Sequence, residues 1–445
     1  MNPSDPSEPT GSTRPAPEKL PRTLAADLSG HIGQEVRLQG FLHNVRRLGT
    51  LNFVVLRDRT GLAQIRADAE EMAPLTAVPD ESVLEVIGTP GTEPRAPGGV
   101  ELVAPRITVL AAASEPPPVV LSRRELQASL PFILDHAAVT LRHADRRQAL
   151  ALMAALAEGF RAALRRLDFT EVFTPKMVGA TAEGGAEVFR LEYFDVPAYL
   201  TQSPQLYKQM LVGVLERVFE VGPVFRAEPH DTGRHLAQYC SLDAEMGFIE
   251  NVAELIATAR EALAEMMAAA AAFMPDQEPV LMPDALPSLS FEDAMAVLEA
   301  AHIRQPGERP DLTPAGERHL GEWARTEFLS DFLVVTGYPQ DERPFYTHPD
   351  PDRPGYSRGF DILFRGLEIV TGGQRLHREA DYLRVMAERG MDPTPFGAYL
   401  EAFRHGMPPH GGFAIGLERV AKQYLGAANI REVTAFPRYR GRLAP

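Results

Sequence analysis

The chain of 445 residues has 44% apolar and 24% charged residues and a formal net charge of −15. This balance is typical of a soluble globular protein of two to four domains, and it excludes a collagen, a coiled-coil rod and a wholly disordered chain. The longest uncharged apolar run, residues 266–274, is far shorter than the ~20 residues of a membrane span, so we expect no membrane association. The single cysteine, Cys240, excludes an internal disulfide framework and favours a reducing, cytoplasmic location.

The first 140 residues contain three segments of different composition. Residues 1–22 are rich in proline, serine, threonine and glutamate, and they predict a disordered tail. Five short alternating runs follow within residues 23–112, separated by turn signals, and they predict a small β domain. An OB-type barrel and a generic β domain both fit this pattern. Three consecutive prolines within residues 113–140 then predict a linker.

Residues 141–445 mix helical and strand patterns without a strict alternation of the two. The apolar positions of residues 146–167 recur with helical spacing, and a strand that stops at Pro175 follows. Further strands are predicted at 217–225, 241–249, 361–370 and 412–415, and helices at 251–273 and 415–425. This mixture predicts an α+β domain around an antiparallel sheet. We interpret the alanine-rich region 250–340 as a helical insertion in that domain.

Three polar segments carry the candidate chemistry. One places Arg226 and Arg234 at a predicted hairpin, where two guanidinium groups can hold a polyphosphate; a solvated hairpin with surface ion pairs is the alternative. In another, Asp361 and Glu368 lie in an apolar strand, where buried carboxylates need a partner such as Mg²⁺. In the third, the glycine pair 411–412 lets the backbone approach either a ligand or a packed neighbour closely. The sequence contains no Walker-type phosphate loop, so an ATP site here is of another kind.

These segments resemble, in their order along the chain, the motifs of the class II aminoacyl-tRNA synthetases. Residues 225–236 resemble motif 2, residues 416–419 resemble motif 3, and the helix and strand before Pro175 resemble motif 1, the dimer element. The archaeal-type aspartyl subgroup is indicated by residues 202–209, 243–246 and 373–377. The resemblance covers residues 23–445. It implies a class IIb homodimer, in which an OB-fold domain precedes a catalytic domain whose antiparallel sheet is flanked by helices.

The resemblance implies a site for ATP and Mg²⁺. In the family, the residue matching Arg226 holds the α-phosphate, and those matching Arg234 and Arg419 reach the outer phosphates. Glu228 and His235 fall in the same motif, and Tyr239 falls where an aromatic residue stacks on adenine. The positions that bind Mg²⁺ match Asp361, Glu368 and Thr371. Gln238 departs from the glutamate that many relatives carry there.

The resemblance also implies a pocket for L-aspartate with opposite charges at its two ends. Lys208 and Arg375 match the residues that pair with the side-chain carboxylate of the substrate. The residues that hold its ammonium group match Glu183, Gln205 and Asp243. Asparagine has no negative side chain to pair with two cations, so an aspartate enzyme is favoured over an asparaginyl-tRNA synthetase. An adenylate-forming relative that amidates free aspartate, and a simple OB binding module, remain as further alternatives.

The OB segment predicts where tRNA is held. Residues 43–66 form a basic stretch that suits RNA phosphates, with arginines at Arg46, Arg47, Arg57, Arg59 and Arg66. Phe53 can stack on an unpaired base. Archaeal-type relatives that are strict for tRNA(Asp) carry Trp and Lys at two positions where this chain has His43 and Pro97. The resemblance therefore implies a non-discriminating enzyme that charges tRNA(Asp) and tRNA(Asn), and a strict enzyme that reads the anticodon with other residues is the alternative.

Overall fold

The computed structural model describes residues 20–48, 51–179, 187–305 and 311–444. The chain divides into two compact units, Met1–His143 and Ala144–Pro445. Most of the predicted disordered tail, and Glu183, which the resemblance assigns to the substrate ammonium group, lie outside the described residues. Within the described ranges, no helix combines the length and the apolar character needed to cross a membrane.

The first unit contains a closed five-stranded barrel in the order β1-β2-β3-β5-β4. Its strands are β1 Val36–Leu48, β2 Leu51–Arg57, β3 Leu62–Ala67, β4 Val83–Thr92 and β5 Val100–Ala111. Alternate residues of β1, such as Val36 and Leu38, are buried inside the barrel, which explains the period of two in the sequence. The prediction of an OB-type barrel is confirmed. Two short helices follow, α1 Leu130–Asp135 and α2 Ala137–Thr140.

The second unit is built on an eight-stranded, mostly antiparallel sheet in the order β12-β13-β14-β15-β16-β11-β10-β6. Its strands, in chain order, are β6 Thr170–Glu171, β10 Arg217–Phe225, β11 Gln238–Gly247, β12 Ser288–Ser290, β13 Phe332–Thr336, β14 Gly359–Phe364, β15 Leu367–Gln374 and β16 His410–Gly416. A separate small sheet contains β7 Met177–Val178, β8 Arg190–Tyr193 and β9 Val196–Leu200. This mixed architecture confirms the predicted α+β class.

Eight helices of the second unit pack around these sheets in the described part of the chain. They are α3 Ala144–Arg166, α4 Gln205–Leu215, α5 Val252–Phe273, α6 Phe291–Ala300, α7 Pro314–Phe328, α8 Glu379–Glu388, α9 Gly397–Arg404 and α10 Leu417–Leu425. Helix α3 packs against α5 at a close approach, because a side chain at Gly159 would come within 2.7 Å of the Glu265 carbonyl oxygen. The side of α3 that faces the core, which includes Leu156 and Phe160, is buried by the chain itself.

Two predicted elements differ from the structure. The strand expected at 361–370 is a hairpin, because Arg365 and Gly366 form a turn with φ values of +47° and +74° that reverses the chain between β14 and β15. The hairpin makes Asp361 a cross-strand neighbour of Thr371. The region 250–340 is not a helical insertion, since it supplies strands β12 and β13 of the main sheet and the core helix α5. Its alanine content reflects the tight contact of α5 with α3.

Candidate active site

A cavity of about 440 Å³ lies in the second unit, where four strands of the main sheet meet the first turns of α4 and α10. The strands are the neighbours β10, β11, β15 and β16, and the loop between β10 and β11 also reaches the cavity. Twelve sequence-predicted residues line it: Gln205, Lys208, Arg226, Glu228, Arg234, His235, Tyr239, Asp243, Glu368, Thr371, Arg375 and Arg419. Asp361 does not line this cavity. Segments that are distant in the sequence thus meet because their strands are adjacent.

One end of the cavity contains a buried cluster of opposite charges. Lys208 Nζ lies 3.0 Å from Asp243 Oδ1 and 3.3 Å from Glu245 Oε2. Arg375 Nε lies 3.1 Å from Glu245 Oε1, and its Nη2 donates to Gln205 Oε1 at 3.2 Å. Residues 205 and 208 share a face of α4, and 243 and 245 share a face of β11, as helical and strand periodicities require. Two cations and two carboxylates therefore form one connected network.

Glu245 is the member of this network to which the sequence analysis assigned no role. Its side chain is completely buried and bridges Lys208, Arg375 and Gln205. Burial opposes its ionisation, but the charges of Arg375 and Lys208 hold the pKa of the Glu245 carboxyl below its usual value. The alternation Asp-Ala-Glu in residues 243–245 is the signal that could have revealed it. Side chains two positions apart on a strand lie on the same face of the sheet.

Gly412 makes this network possible by its lack of a side chain. A Cβ there would come within 2.2 Å of Glu245 Oε2 and 2.1 Å of the Ala244 carbonyl oxygen on the neighbouring strand. The Gly412 carbonyl oxygen also accepts a hydrogen bond of 3.1 Å from Arg375 Nη2. Of the two interpretations of the glycine pair 411–412, the structure shows close packing of β16 on β11.

The other end of the cavity carries arginines from motifs 2 and 3. The Arg226 guanidinium lies 5.8 Å from the centre of the Tyr239 ring and 3.7 Å from Glu228 Oε1. His235 Nε2 lies 3.8 Å from Glu228 Oε2. Burial, assisted by the charges of Arg419 and Arg234, lowers the pKa of His235 despite the opposing effect of Glu228. The imidazole is therefore neutral at pH 7, and the positive charge in this part of the cavity comes from the arginines.

The structure does not support Asp361 as a metal ligand. Its two carboxylate oxygens accept hydrogen bonds of 3.0 and 2.8 Å from Arg343, and Thr371 Oγ1 donates to the same carboxylate at 2.8 Å. Arg343 in turn lies over the Tyr338 ring at 3.8 Å. The partner that this buried carboxylate requires is thus an arginine. Arg343 lines the cavity, and the sequence analysis assigned it no role.

Glu368 and Thr371 are better placed to contact a cation in the cavity. Glu368 Oε1 lies 3.2 Å from Arg419 Nη1 and 3.3 Å from Thr371 Oγ1. Among the described residues, no group of three or more His, Cys, Asp or Glu side chains is arranged to hold a metal ion by itself. Mg²⁺ commonly takes one or two protein oxygens and completes its shell with phosphate oxygens and water. The oxygen donors of Glu368 and Thr371 fit that requirement.

Glu418 connects motif 3 to the sheet. The Cys240 backbone N–H donates to its two carboxylate oxygens at 3.0 and 3.1 Å, which ties the start of α10 to β11. Burial raises the pKa of the Glu418 carboxyl to about 7. This contact orients the first turn of α10, which carries Arg419 into the cavity.

The predicted tRNA residues lie on the barrel of the first unit. Arg46 on β1 and Arg66 on β3 both pair with Phe53 on β2, so an aromatic ring stands between two exposed arginines in one row. Pro97 begins a short turn between β4 and β5 and is half-buried. Arg57 does not belong to the exposed basic surface, because it is buried and donates to both oxygens of Glu81 at 2.6 and 2.7 Å.

His43 lies on β1 beside this buried ion pair. Its Nδ1 atom is 3.4 Å from Arg57 Nη1, and its side chain is half-buried. The basic stretch predicted from residues 43–66 is therefore smaller on the surface than in the sequence. It retains exposed arginines at 46, 47, 59 and 66.

Comparison with known proteins identifies the family. Residues 129–440 match the model for class II tRNA synthetases (D, K and N), and residues 36–110 match the OB-fold nucleic acid binding domain. The chain is 47% identical over 430 residues to the aspartate–tRNA(Asp/Asn) ligase of Thermus thermophilus, covering 95% of this chain and 100% of that protein. It is 44% identical to the aspartate–tRNA(Asp/Asn) ligase of Deinococcus radiodurans, covering 96% and 99%. The asparaginyl-tRNA synthetase of Pyrococcus horikoshii, complexed with asparaginyl-adenylate, has a similar structure, with a TM-score of 0.88, 29% identity, and coverage of 96% and 100%.

The chain therefore belongs to the class II tRNA synthetases of the D, K and N group. It is an aminoacyl-tRNA ligase with an N-terminal OB-fold nucleic acid binding domain. Enzymes of this class use ATP, which agrees with a cavity that carries several arginines beside an aromatic ring.

Proposed function

We propose that this enzyme attaches L-aspartate to tRNA through an aspartyl-adenylate made from ATP. The observation that carries this proposal is the convergence of Lys208 and Arg375 at one end of the cavity. Both cations are held in place by Glu245, and both line the cavity, so a carboxylate that enters meets two preoriented positive groups. The relatives with 47% and 44% identity are named as aspartate ligases, whereas the asparaginyl enzyme of similar structure is 29% identical.

The proposed reaction uses charge that is already in position. An oxygen of the substrate α-carboxylate attacks the α-phosphorus of ATP, the bond to the bridging oxygen breaks, and pyrophosphate leaves. Negative charge grows on the phosphoryl oxygens, and Arg226 stabilises it without reorganisation. Glu368 and Thr371 would hold a Mg²⁺ ion, which would further neutralise the pyrophosphate charge. A ribose hydroxyl of the tRNA end then displaces AMP.

ATP–pyrophosphate exchange measured with aspartate, asparagine and glutamate in separate reactions tests this proposal. We expect exchange with aspartate and exchange at least 100-fold weaker with asparagine, because an amide has no negative charge to offer to the two cations of the pocket. Reactions without an amino acid provide the background. Preferential exchange with asparagine would make this an asparaginyl-tRNA synthetase. Formation of free asparagine from aspartate and ammonia, without transfer to tRNA, would favour the amidating relative.

We further propose that the enzyme charges both tRNA(Asp) and tRNA(Asn). The anticodons of these tRNAs differ in the third base, where cytosine offers an amino donor and uracil offers a carbonyl acceptor. Strict choice requires a group that suits only one of them. Pro97 has no side-chain donor or acceptor, so it cannot read this edge. The row of Arg46, Phe53 and Arg66 offers stacking and phosphate contacts, which do not distinguish the two bases.

Charging both tRNA transcripts with aspartate under one condition measures this preference. A specific base contact is worth ~1–3 kcal/mol of discrimination, and the proposed enzyme lacks one at the third anticodon base. We therefore expect kcat/KM values for the two tRNAs within about tenfold of each other. The double substitution His43→Trp and Pro97→Lys should shift the preference towards tRNA(Asp). A matched double substitution on the exposed face of α8, Arg384→Trp and Glu388→Lys, should leave it unchanged. If tRNA(Asn) accepts aspartate several hundredfold less efficiently in the parent enzyme, the enzyme is strict.

We also propose that the enzyme is a homodimer in the cytoplasm. The apolar face of α3 does not support a dimer, because the chain buries it internally. The segment that follows α3 does support a dimer. Strand β6 lies at the edge of the main sheet, and Phe173 and Met177, which follow it, are 83% and 53% exposed.

Light scattering at micromolar concentration tests the dimer and should give twice the chain mass of 48.9 kDa. Phe173→Glu should shift the mass towards the monomer, and a monomeric parent protein would contradict the proposal.

A further inference from the structure

Glu317 is a buried carboxylate that the proposed chemistry does not use. It lies in the first turn of α7, within the alanine-rich region 250–340, and its side chain is 5% exposed. Arg234 Nη2 donates to its two oxygens at 2.8 and 3.0 Å. The Glu368 backbone N–H donates to Glu317 Oε2 at 3.0 Å. The Glu317 carboxylate thus joins Arg234 of motif 2 to Glu368 on β15, and both of these residues line the cavity.

The packing of α7 sets the position of this carboxylate. Gly321 on α7 lies directly on the β14–β15 turn, where a Cβ would come within 2.4 Å of the Gly366 backbone nitrogen. Gly366 has the same relation to α7, since a Cβ there would come within 2.7 Å of Arg318 Cα. The helix begins after Thr313, whose hydroxyl accepts the Gly316 N–H at 3.2 Å. Two glycines in contact therefore bring the first turn of α7 close enough to β15 for Glu317 to reach Glu368.

The electrostatics of the cavity explain why a carboxylate is required there. Arg234 shares this end of the cavity with Arg226 and Arg419, and three guanidinium groups repel one another when no anion is bound. Burial raises the pKa of Glu317, and the charge and hydrogen bonds of Arg234 oppose this effect. Arg234 uses only its Nη2 atom for both hydrogen bonds to Glu317. The guanidinium is therefore held at one edge, and Arg234 still lines the cavity. The carboxylate orients Arg234 and does not cover it.

We propose that Glu317 is a positioning residue of the ATP site, which fixes Arg234, the cation for the outer phosphates, relative to Glu368, the oxygen donor for a divalent cation. This inference rests on the proposed function of those two residues. Glu317 does not touch the substrate. It acts through Arg234 and the backbone of β15, and it is preorganised by the contact of α7 with the hairpin.

Glu317→Gln tests this role, because it keeps the shape of the side chain and removes its charge. We expect the KM for ATP in pyrophosphate exchange to rise about tenfold, while the KM for aspartate and the melting temperature change little. Calorimetric titration of ATP with Mg²⁺, without an amino acid, should show a similar loss of affinity. Glu322→Gln, an exposed position on the same helix, is the matched control and should have neither effect. Glu317→Asp, which keeps the charge on a shorter side chain, should fall between the two.

Each other outcome has a distinct meaning. Unchanged ATP affinity in Glu317→Gln would overturn the inference. Tighter ATP binding would also overturn it, because Glu317 would then compete with phosphate for Arg234. Equal rises in both KM values with a lower melting temperature would show a purely structural role. Failure of the proposed function itself is separate: the parent enzyme would then bind ATP but show no exchange with aspartate.

Discussion

Replacing Arg226 by alanine is expected to lower aspartate-dependent pyrophosphate exchange about 100-fold or more. In the proposed reaction this guanidinium faces the α-phosphate, where charge develops in the transition state, and preoriented donors at such positions are worth about 10²–10³ in rate. The Arg226 side chain is 38% exposed in the cavity and its ion pair with Glu228 is long, at 3.7 Å, so the fold should persist without it. Initial rates of exchange, with circular dichroism to verify folding, measure the effect.

Two variants sharpen this experiment. Arg226→Lys keeps the charge but loses the planar pair of donors, so it should recover only part of the activity. Arg384→Ala removes an exposed arginine of α8 and should leave exchange unchanged. Near-normal exchange in folded Arg226→Ala would remove Arg226 from the mechanism, whatever its distance from Tyr239.

Replacing Lys208 by methionine is expected to raise the KM for aspartate about 100-fold, with a much smaller effect on the KM for ATP. Truncating one member of a buried charge pair costs ~2–5 kcal/mol, and here both the substrate carboxylate and Glu245 lose a partner. The Lys208 side chain is only 2% exposed, so the free energy of unfolding should also fall by ~3–5 kcal/mol. Exchange kinetics and urea unfolding measure the two effects separately.

A matched lysine distinguishes loss of substrate binding from loss of stability. Lys176 Nζ lies 2.8 Å from the buried Glu220, and neither residue lines the cavity. Lys176→Met should therefore lower stability without changing the KM for aspartate. The double variant Lys208→Met with Asp243→Asn should recover part of the stability, because the buried Asp243 charge is removed and Glu245 keeps Arg375 as its partner, while aspartate binding stays weak. An unchanged KM for aspartate in Lys208→Met would count against the pocket.

Local patterns in the sequence correctly predicted most of the regular elements. The period of two in β1 and the helical spacing of α3 follow directly from which faces are buried, so they are visible without the fold. The hairpin β14–β15 was not visible as two strands. Its turn is only Arg365 and Gly366, and apolar residues on both sides continue one apparent run. A two-residue turn inside a buried segment leaves little trace in composition.

The motif residues of the cavity were also predictable, because each motif carries its own spacing. Their partners were not. Glu245, Arg343 and Glu317 contact residues of the predicted site that lie 18 to 130 positions away along the chain, and nothing in their local sequence marks them. The ion pair of Asp361 could not be predicted for the same reason. A buried carboxylate requires a partner, but only the fold shows that this partner is Arg343.

The sequence by itself determined the class of enzyme, the order of its two domains and the residues that line the cavity, since these depend on motifs and on local periodicity. Only the tertiary structure decided which charges are already paired before a substrate enters. Lys208 and Arg375 share Glu245, Arg234 is held by Glu317, and Arg57 is withdrawn from the basic surface by Glu81. The physical reason is that a charge pair depends on distance in space, which strand order and helix packing set, and spacing along the chain does not encode it.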